Sequence, residues 1–553
     1  MRLDAQRHHQ DDEVVDVVVV GTGAGGAPLT ARLAREGLSV VAFEAGRNTE
    51  PGDHTPDEVE APADINWMDE RISGGAAPTA FGPNNSGTGV GGSTLHWGAF
   101  TPRPSTHDLR LRTESGQGED WPIDHAELTA YIERVEHEVG VAGPAHYPWD
   151  PDRRYRMGPP ARNASSDMMM RGTAALGITA TDAPVALTTE DRVQEHHGLR
   201  QACVSCGSCH QGCRNGAKVS MDTTYLPAAV AFGAEIRPES FVHGIELDAD
   251  GRVCAVLYTR DGRERRQRCR SLVLAAGGVE TPRLLLHTGL ANSSGQVGRN
   301  FTAHGATQVW ATFDESMRSY RGYPSSIITE DFVRPADADF AGGYLIQSLG
   351  VQPLTFATTL VRGGGLRGAE LVKAMRDYPR TAGVGINAEC LPYDDNRLVL
   401  SDDLDEHGVP RARVTFSPGS NEDAIRAHAV RTMTAIVEAA GGTDVRVLER
   451  TAHTIGTARM GSDAGSSVVD PAGRSWDVPN LWVCDNSVFP SAVIANPALT
   501  IMALSLRTAD RFLRDDPAAD RQRVLRSDVL RRDLGDQGHV SAAERQDGGE
   551  AVR

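Results

Sequence analysis

The pattern of apolar and polar positions is most regular near the start of the chain, where an apolar run enters a glycine-rich turn. Four valines, Val17–Val20, lead into the segment GTGAGG at 21–26. A stretch with helical spacing follows, and a second apolar run, Val40–Phe43, ends at Glu44. This order of strand, glycine turn, helix, strand and acid is typical of a dinucleotide-binding unit.

Each part of this unit has a mechanical role. Gly21 permits the tight turn, Gly23 lets backbone amides approach a pyrophosphate, and Gly26 allows the helix to pack closely on the strand. The free N–H groups at the start of the helix attract the phosphates. Glu44 lies 18 residues after Gly26, where a carboxylate can bind ribose hydroxyls. A glycine loop alone can simply turn the chain, but the complete unit predicts dinucleotide binding.

Later segments predict further elements. A second glycine cluster at Gly87–Gly98 disfavours a regular helix and suits backbone packed against a flat ligand. Asp124–Val141 has helical spacing, and Glu235–Leu274 is typical of short strands joined by turns. The glycine-ended strand that closes this meander predicts a helix with Thr281 as its cap and Pro282 at its first position.

The end of the chain repeats the strand-and-acid pattern. Asn480–Asp485 predicts a late strand that ends in an acid, and Asn496–Thr500 begins a last apolar helix that runs to about Leu513. The remaining segment, 514–553, is charged and poor in large apolar groups, so we expect a flexible tail.

Cofactor-type elements thus occur at the start, middle and end of the chain. We expect an α/β protein in which a cofactor-binding domain is assembled from discontinuous segments and a substrate domain is built from the insertions. The expected cofactor segments are 13–110, 226–310 and 451–513. The expected substrate segments are 111–225 and 311–450.

Composition narrows the class of protein. A chain of 553 residues predicts two or three interlocked domains. No run of about 18 apolar residues predicts a membrane span, and the N-terminus has no apolar signal region, so we expect a cytoplasmic protein. A net charge of −18 repels phosphate backbones and anionic lipid, which argues against nucleic acid and membrane partners. Eight cysteines without a signal favour reduced thiols or metal ligands over disulfides.

A cysteine loop is the second strong motif. Cys203, Cys206, Cys209 and Cys213 have the spacing of the bacterial ferredoxin run, in which thiolates bind an iron–sulfur cluster. Arg214 stands where that run usually has proline. The motif therefore leaves three interpretations open: an iron–sulfur cluster, a structural zinc site, or plain thiols including a disulfide pair.

Taken together, these segments resemble the glucose–methanol–choline (GMC) family of flavin oxidoreductases. The resemblance implies a Rossmann-like FAD-binding domain, an α+β substrate domain, and FAD as the cofactor. The matching blocks occur in family order between about 25 and 510: Gly21-x-Gly23-x-x-Gly26 with Glu44, Gly91–Thr94 with His96-Trp97, Ala276–Pro282, Val297–Asn300, His453–Gly461, Asp485–Pro490 and Asn496–Thr500.

The block from Gly91 to Trp97 looks more like the bacterial glucose and gluconate dehydrogenase flavoproteins and the pyranose oxidases than the commoner family form. By this resemblance Gly91, Gly92 and Ser93 pass near the pyrophosphate and the flavin ring. In pyranose oxidases the residue matching His96 is covalently bound to the flavin, whereas the dehydrogenase relatives carry the histidine without a bond. For this chain, the sequence leaves open whether His96 is covalently bound to the flavin.

The family implies a histidine and an asparagine as the reacting pair. His453 occupies the position of the base, which removes the hydroxyl proton as hydride leaves for the flavin. An imidazole suits this task because its ordinary pKa, about 6.5, lies near working pH. Asn496, 43 residues later, would donate a hydrogen bond to the substrate oxygen as negative charge develops there.

The family also implies the remaining cofactor contacts. Asp485 would reach the ribityl hydroxyls, with a helix or turn cap as the alternative, and Pro497 and Thr500 would lie over the pyrimidine end of the flavin. Arg299 could be linked to the cofactor or could be a structural bridge. Sugar dehydrogenase relatives hold a three-iron cluster in the region of the cysteine loop, whereas some long-chain alcohol oxidases have a related loop without an established cluster.

The sequence therefore predicts FAD-dependent oxidation of a hydroxyl group of a sugar, glycoside or polyol-like alcohol to a carbonyl. If the cysteine loop holds a cluster, the expected electron acceptor is a small companion subunit or a cytochrome; without a cluster it is oxygen or a quinone. Three alternatives stay open: an oxygen-using pyranose or glycoside oxidase that makes hydrogen peroxide, a non-redox member of hydroxynitrile-lyase type, and a zinc protein that uses the nucleotide fold as a scaffold.

Overall fold

The computed structural model describes residues 1–4, 6–68, 72–75 and 86–519. Its strands are β1 Val15–Val20, β2 Val40–Phe43, β3 Ile72–Gly74, β4 Thr181–Asp182, β5 Arg192–Gln194, β6 Gly198–Arg200, β7 Glu235–Arg237, β8 Phe241–Leu247, β9 Val253–Arg260, β10 Arg263–Leu274, β11 Thr302–Gly305, β12 Gln308–Thr312, β13 Ile327–Thr329, β14 Tyr344–Leu349, β15 Thr381–Ala388, β16 Arg397–Leu404, β17 Pro410–Thr415, β18 Thr443–Leu448, β19 Thr451–Ile455 and β20 Leu481–Val483.

The helices are distributed along the whole described chain. They are α1 Gly26–Arg35, α2 Ala61–Ile65, α3 Thr106–Leu109, α4 Leu111–Ser115, α5 His125–Val139, α6 Ala164–Leu176, α7 Tyr225–Ala231, α8 Gly277–Thr288, α9 Pro353–Arg362, α10 Gly368–Asp377, α11 Ser420–Ala439 and α12 Pro497–Asp515. In the part of the chain that the structure describes, no helix is long and apolar enough to cross a membrane.

The first sheet joins distant segments of the chain. Its order is β7-β2-β1-β10-β9-β8, and β20 pairs with β10. Strand β1 runs parallel to β2 and β10, and β20 runs parallel to β10. Every residue of β1 is buried, because helices cover a parallel sheet on both faces, and such strands read as continuous apolar runs. Helix α1 packs against α7 and α12.

The turn after β1 depends on the glycine that begins the helix. A Cβ atom at Gly26 would overlap the carbonyl oxygen of Gly21, so a side chain there would push α1 away from the strand. The predicted strand, turn, helix and strand are all present, with Glu44 directly after β2. The α/β prediction is thereby confirmed.

The second sheet is antiparallel and carries one wall of the cleft described below. Its order is β18-β12-β15-β14-β13-β4, with β11 paired to β15 and β19 paired to β11. Helices α6 and α11 pack against it around a separate apolar core. Strands β11 and β19 belong to this sheet, although the expected boundaries at 310 and 450 assign their residues to the cofactor segments.

The start of α8 differs from the sequence prediction. The helix begins at Gly277, so Thr281 is not its cap and Pro282 lies inside it. Proline has no N–H to donate to the carbonyl of Gly278 one turn earlier. The hydroxyl of Thr457 donates to that carbonyl instead, at 2.9 Å. A partner distant in sequence therefore makes the interior proline acceptable.

The predicted flexible tail begins later than residue 514. Helix α12 continues to Asp515, and Asp516 is buried. Its carboxylate accepts hydrogen bonds from the Ser271 hydroxyl and the Trp482 indole N–H, at 2.8 and 3.0 Å. Pairing with the first sheet thus fixes residues that charge patterning alone assigned to the tail. The rest of the predicted tail, 520–553, lies outside the described residues.

Candidate active site

A cleft of about 1290 Å³ is lined by residues of both sheets. It contains most of the site residues predicted from sequence, including the expected base and its partner: Gly21, Gly23, Glu44, Gly92, Ser93, His96, His453, Asp485, Asn496 and Pro497. Gly26, Gly91, Thr500 and the four loop cysteines do not line it. The glycine turns and the histidine–asparagine pair thus share one cavity.

The two glycine segments meet backbone to backbone at one end of the cleft. Gly92 has a φ of +55°, and a Cβ atom there would lie 2.7 Å from the Cα of Gly23. The N–H of Gly91 donates to the hydroxyl of Thr22 at 3.2 Å. This arrangement leaves a shallow backbone cradle that any side chain would fill, which fits the approach of a dinucleotide pyrophosphate.

Glu44 holds these segments together. Its carboxylate accepts hydrogen bonds from the Thr22 N–H and hydroxyl and from the N–H groups of Gly46 and Gly89. Burial raises the pKa of Glu44, while these donors act in the opposite direction. Glu44 therefore also fixes the shape of the end of the cleft where the two glycine segments meet, the nucleotide end. Its predicted contact with ribose stays a prediction.

Asp485 has a structural role at the edge of the cleft. Its carboxylate accepts hydrogen bonds from the Gly277 N–H, the Thr281 hydroxyl and the Ser487 N–H. These contacts support the capping alternative weighed for this residue, because they tie β20 to the start of α8. Its contact with ribityl hydroxyls stays a prediction. Arg299 lies outside the cleft lining, and its Nε donates to the Gly295 carbonyl, which supports a structural bridge.

The end of the cleft that holds His453 and Asn496, the reacting end, contains a second histidine that sequence reasoning missed. His453 lies on β19 with a φ of +65°, and its Nδ1 is 2.7 Å from Nδ1 of His304 on the neighbouring strand β11. His304 is buried, and its Nε2 is 2.6 Å from the carbonyl oxygen of Val493. The sequence block that ends at Asn300 stops four residues short of this histidine.

These contacts fix the protonation of both rings. The Val493 carbonyl can only accept, so His304 carries its proton on Nε2. Burial lowers the pKa of His304 to about 4, so the ring is neutral and its Nδ1 is an acceptor. His453 must then donate from Nδ1, which leaves its Nε2 lone pair free. Burial, followed by electrostatic interactions with His304 and Arg450, also lowers the pKa of His453, so this ring is neutral at pH 7.

Asn496 is oriented by another asparagine that sequence reasoning missed. The Nδ2 of Asn387, on β15, donates to Oδ1 of Asn496 at 2.7 Å. Asn496 precedes α12 without capping it through its side chain. Its Nδ2 group has no acceptor among the described residues, so it is available to donate to a ligand oxygen in the cleft.

His96 occupies the wall between the two ends. Its Nε2 is buried and has no hydrogen-bond partner in the described chain, and its carbonyl oxygen lies 2.9 Å from Nδ1 of His210. Burial, together with the charges of Lys218 and His210, lowers the pKa of His96 to about 3. An unprotonated imidazole at this place is compatible both with a covalent bond between His96 and the flavin and with a flavin that is not covalently bound.

The cysteine loop lies next to this wall. Its four thiols line one small cavity, and backbone N–H groups of Ser205 and Lys218 lie 3.4 and 3.3 Å from two of the sulfur atoms. Across the described ranges, no three His, Cys, Asp or Glu side chains are arranged to hold a metal ion. All four cysteines are free thiols. The donor set suits a metal cluster chemically, but its arrangement is not that of a formed site.

Lys218 connects this loop to the cleft. The lysine is buried, and its ammonium donates to the carbonyl oxygens of Leu95, Trp97 and Cys209 at 2.7, 3.1 and 2.7 Å. Burial lowers its pKa to about 8. One cation therefore joins the segment that carries His96 to the cysteine loop.

The fold and the cleft define an α/β protein in which one cleft joins a glycine-lined backbone cradle to a buried pair of imidazoles. Family models described as GMC oxidoreductase match residues 72–306 and 392–505. Fructose dehydrogenase large subunit of Gluconobacter japonicus is 30% identical over 544 residues, which cover 90% of this chain and 98% of that protein. The chain belongs to the GMC oxidoreductase family, whose members are FAD-dependent enzymes acting on CH–OH groups.

Other relatives have similar coverage. 2-Methyl-1,2-propanediol dehydrogenase of Mycolicibacterium austroafricanum is 29% identical, covering 90% of this chain and 95% of that protein. Paromamine 6'-oxidase of Streptomyces fradiae is 28% identical, covering 90% and 91%. The solved structure of pyridoxine 4-oxidase from Mesorbium loti has a TM-score of 0.63 at 18% identity, covering 90% of this chain and 99% of that one, and supports the fold.

These matches decide between the sequence-based interpretations at the level of the family. The GMC family prediction, the FAD cofactor and the oxidoreductase class are confirmed. A zinc protein that uses the nucleotide fold only as a scaffold does not fit this membership.

Proposed function

We propose that this enzyme oxidises a hydroxyl group of a sugar, glycoside or polyol-like alcohol to a carbonyl, with His453 as the base. The observation that carries the proposal is the free Nε2 of His453 in the same cleft as the glycine cradle. Bound FAD would supply the hydride acceptor. The nucleotide end, with Gly23, Gly92 and Glu44, would hold the cofactor.

The protein residues have separate tasks in this proposal. Nε2 of His453 takes the hydroxyl proton, and Nδ2 of Asn496 donates to the same oxygen as its negative charge grows. His304 accepts from Nδ1 of His453 throughout, so the ring stays oriented when it becomes an imidazolium. Asn387 holds the amide of Asn496 with its donor side toward the cleft.

The names of the relatives support the substrate class. They refer to a sugar, a diol and an aminoglycoside, all of which carry alcohol groups next to other polar groups. The same names include dehydrogenases and an oxidase, so an oxygen-using oxidase is the second candidate. Peroxide yield compared with the rate of dye reduction separates the two, and anaerobic bleaching of the flavin by an alcohol separates both from a non-redox lyase.

The central experiment replaces the base. His453→Ala should reduce the rate of flavin reduction by an alcohol by about a hundredfold or more without loss of FAD. His146→Ala is the matched control, because His146 is exposed and outside the cleft. Stopped-flow absorbance under anaerobic conditions gives the rate. Reduction at the wild-type rate in His453→Ala would overturn the assignment.

The finer assignments of the sequence stay proposals. The proposal of an iron–sulfur cluster in the cysteine loop rests on the ferredoxin-like spacing of its four cysteines alone. The words "large subunit" in the name of one relative support a companion subunit or cytochrome acceptor. A cytoplasmic location rests on the sequence alone.

Iron and sulfide assays on anaerobically purified protein, with an EPR spectrum, test the cluster. Cys206→Ser should remove the signal, and Cys254→Ser should leave it. Protein without iron contradicts the cluster, and bound zinc would instead support the structural alternative.

A further inference from the structure

Arg450 places a cation without a partner on the wall of the cleft. It lies between β18 and β19, three residues before His453, and its half-buried side chain lines the cleft. Only its backbone carbonyl is engaged, by the N–H of Ala306 at 3.0 Å. Within the described part of the chain, the guanidinium of Arg450 makes no hydrogen bond and no ion pair.

Four buried arginines have acids or backbone carbonyls as partners for their charge. Arg153 donates to Glu136 and a backbone carbonyl, and Arg283 donates to Glu280 and Asp405. Arg507 pairs with Glu127, and Arg200 donates to three carbonyl groups. Such pairing is expected, because removing a charge from water without compensation is unfavourable. Arg450, which lines the cleft, has no such partner among the described residues.

The acid nearest in sequence does not neutralise Arg450. The carboxylate of Glu449 accepts from Arg426 at 2.7 Å. Burial lowers the pKa of Arg450, and no carboxylate of the described chain raises it. The positive charge of Arg450 lowers the pKa of both His210 and His453. The guanidinium of Arg450 thus lines the same cleft as the proposed base, three residues before it in the chain.

We infer that Arg450 is the counter-ion for a carboxylate carried by the alcohol substrate. The enzyme would then prefer a hydroxy acid or sugar acid to the neutral alcohol of the same skeleton. A guanidinium binds a carboxylate through two parallel N–H bonds, which would fix the reacting carbon relative to the base as well as contribute affinity. This inference rests on the proposed function and deepens it by naming the substrate class.

The first test measures binding without turnover. Acetate and acetamide are titrated into oxidised holoenzyme, and binding is followed by the flavin absorbance and by the rise in Tm. In Arg450→Gln we expect acetate to bind roughly 10- to 100-fold more weakly, with acetamide unchanged. Arg450→Lys should restore part of the affinity. Arg362→Gln, which removes an exposed charge at the cleft rim, should leave acetate binding unchanged.

The second test uses substrates that differ only in charge. Glycerate and glycerol are compared as anaerobic reductants of the flavin. We expect Arg450→Gln to raise the glycerate concentration that gives half-maximal flavin reduction, without changing that of glycerol. Equal acetate binding in wild type and Arg450→Gln would overturn the inference. An altered flavin potential with intact acetate binding would also overturn it, because the charge would then serve the reduced flavin.

The two proposals fail in different ways. If no alcohol bleaches the flavin but Arg450→Gln still loses acetate, the oxidation proposal is wrong and the anion site stands. If His453→Ala abolishes reduction but acetate binds equally to every variant, the oxidation proposal stands and the anion site is wrong.

Discussion

The two ends of the cleft are built in different ways. At the nucleotide end, short segments of β1, its turn and the second glycine cluster meet through backbone contacts, and Glu44 is surrounded by protein donors. At the reacting end, side chains from four distant segments meet: His304, Asn387, His453 and Asn496. The first end is a cradle formed by the absence of side chains. The second is a set of paired polar side chains in which Nε2 of His453 and Nδ2 of Asn496 stay free.

This difference has a clear consequence for substitution. A change at the nucleotide end alters the space for the cofactor, so it should affect binding of FAD. A change at the reacting end alters the orientation of one group, so it should affect the rate while FAD stays bound. The following predictions test that division in order of expected effect.

The largest effect is expected at Gly92. In Gly92→Ala the new methyl group would lie 2.7 Å from the Cα of Gly23, at a φ of +55° that disfavours alanine. We expect most of the purified protein to lack FAD, measured as the ratio of flavin to protein absorbance. Gly365→Ala is the matched control, because Gly365 also has a positive φ but has open space around it. Full flavin content in Gly92→Ala would contradict the cradle.

The next effect concerns the donor at Asn496. Asn496→Asp keeps the shape of the side chain but replaces its donor by an acceptor, so negative charge on the substrate oxygen is no longer stabilised. We expect flavin reduction to slow by about 10²- to 10³-fold with FAD retained, measured by anaerobic stopped flow. Asn292→Asp is the control, because Asn292 uses only its Oδ1, as an acceptor from the Val297 N–H. If Asn496→Asp reduces the flavin at the wild-type rate, Asn496 has no part in the chemical step.

A smaller effect is expected at His304, which touches the base but not the substrate. His304→Phe removes the acceptor for Nδ1 of His453, so the ring can adopt the unproductive tautomer. We expect flavin reduction to slow roughly tenfold, with the substrate concentration dependence unchanged and a shifted pH profile. His304→Gln, which retains a polar acceptor, should recover part of the rate. If His304→Phe has the same pH profile as the wild type, His304 serves only to pack the protein interior.

The smallest effect concerns pH. His453 and His304 have pKa values lowered by burial, so the folded protein binds fewer protons than the unfolded chain below pH 6.5. Stability contributed by these rings is therefore present above pH 6.5 and decreases as the pH falls toward 4. The rate of flavin reduction should likewise decline only well below pH 6.5. A decline at or above that pH, followed by stopped flow, would contradict a neutral, buried base.

The comparison also explains what could be predicted from sequence. The unit from β1 to Glu44 was predicted because its glycines and apolar runs follow one another within 30 residues. His453 and Asn496 were recognised through the family resemblance. His304 and Asn387 were missed because their roles depend on strand pairing between β11, β15 and β19, which leaves no local spacing. The start of α8 was misplaced for the same reason, since its acceptable proline depends on Thr457.

The contacts at the start of α8 also constrain how the molecule is completed. The carboxylate that meets the Gly277 N–H comes from Asp485, 208 residues later, and the hydroxyl that meets the Gly278 carbonyl comes from Thr457, 179 residues later. During synthesis, these contacts of α8 can therefore form only after the residues up to Asp485 have left the ribosome. Capture of the flavin is then a late event, and a truncated N-terminal fragment would not make a self-sufficient nucleotide-binding module.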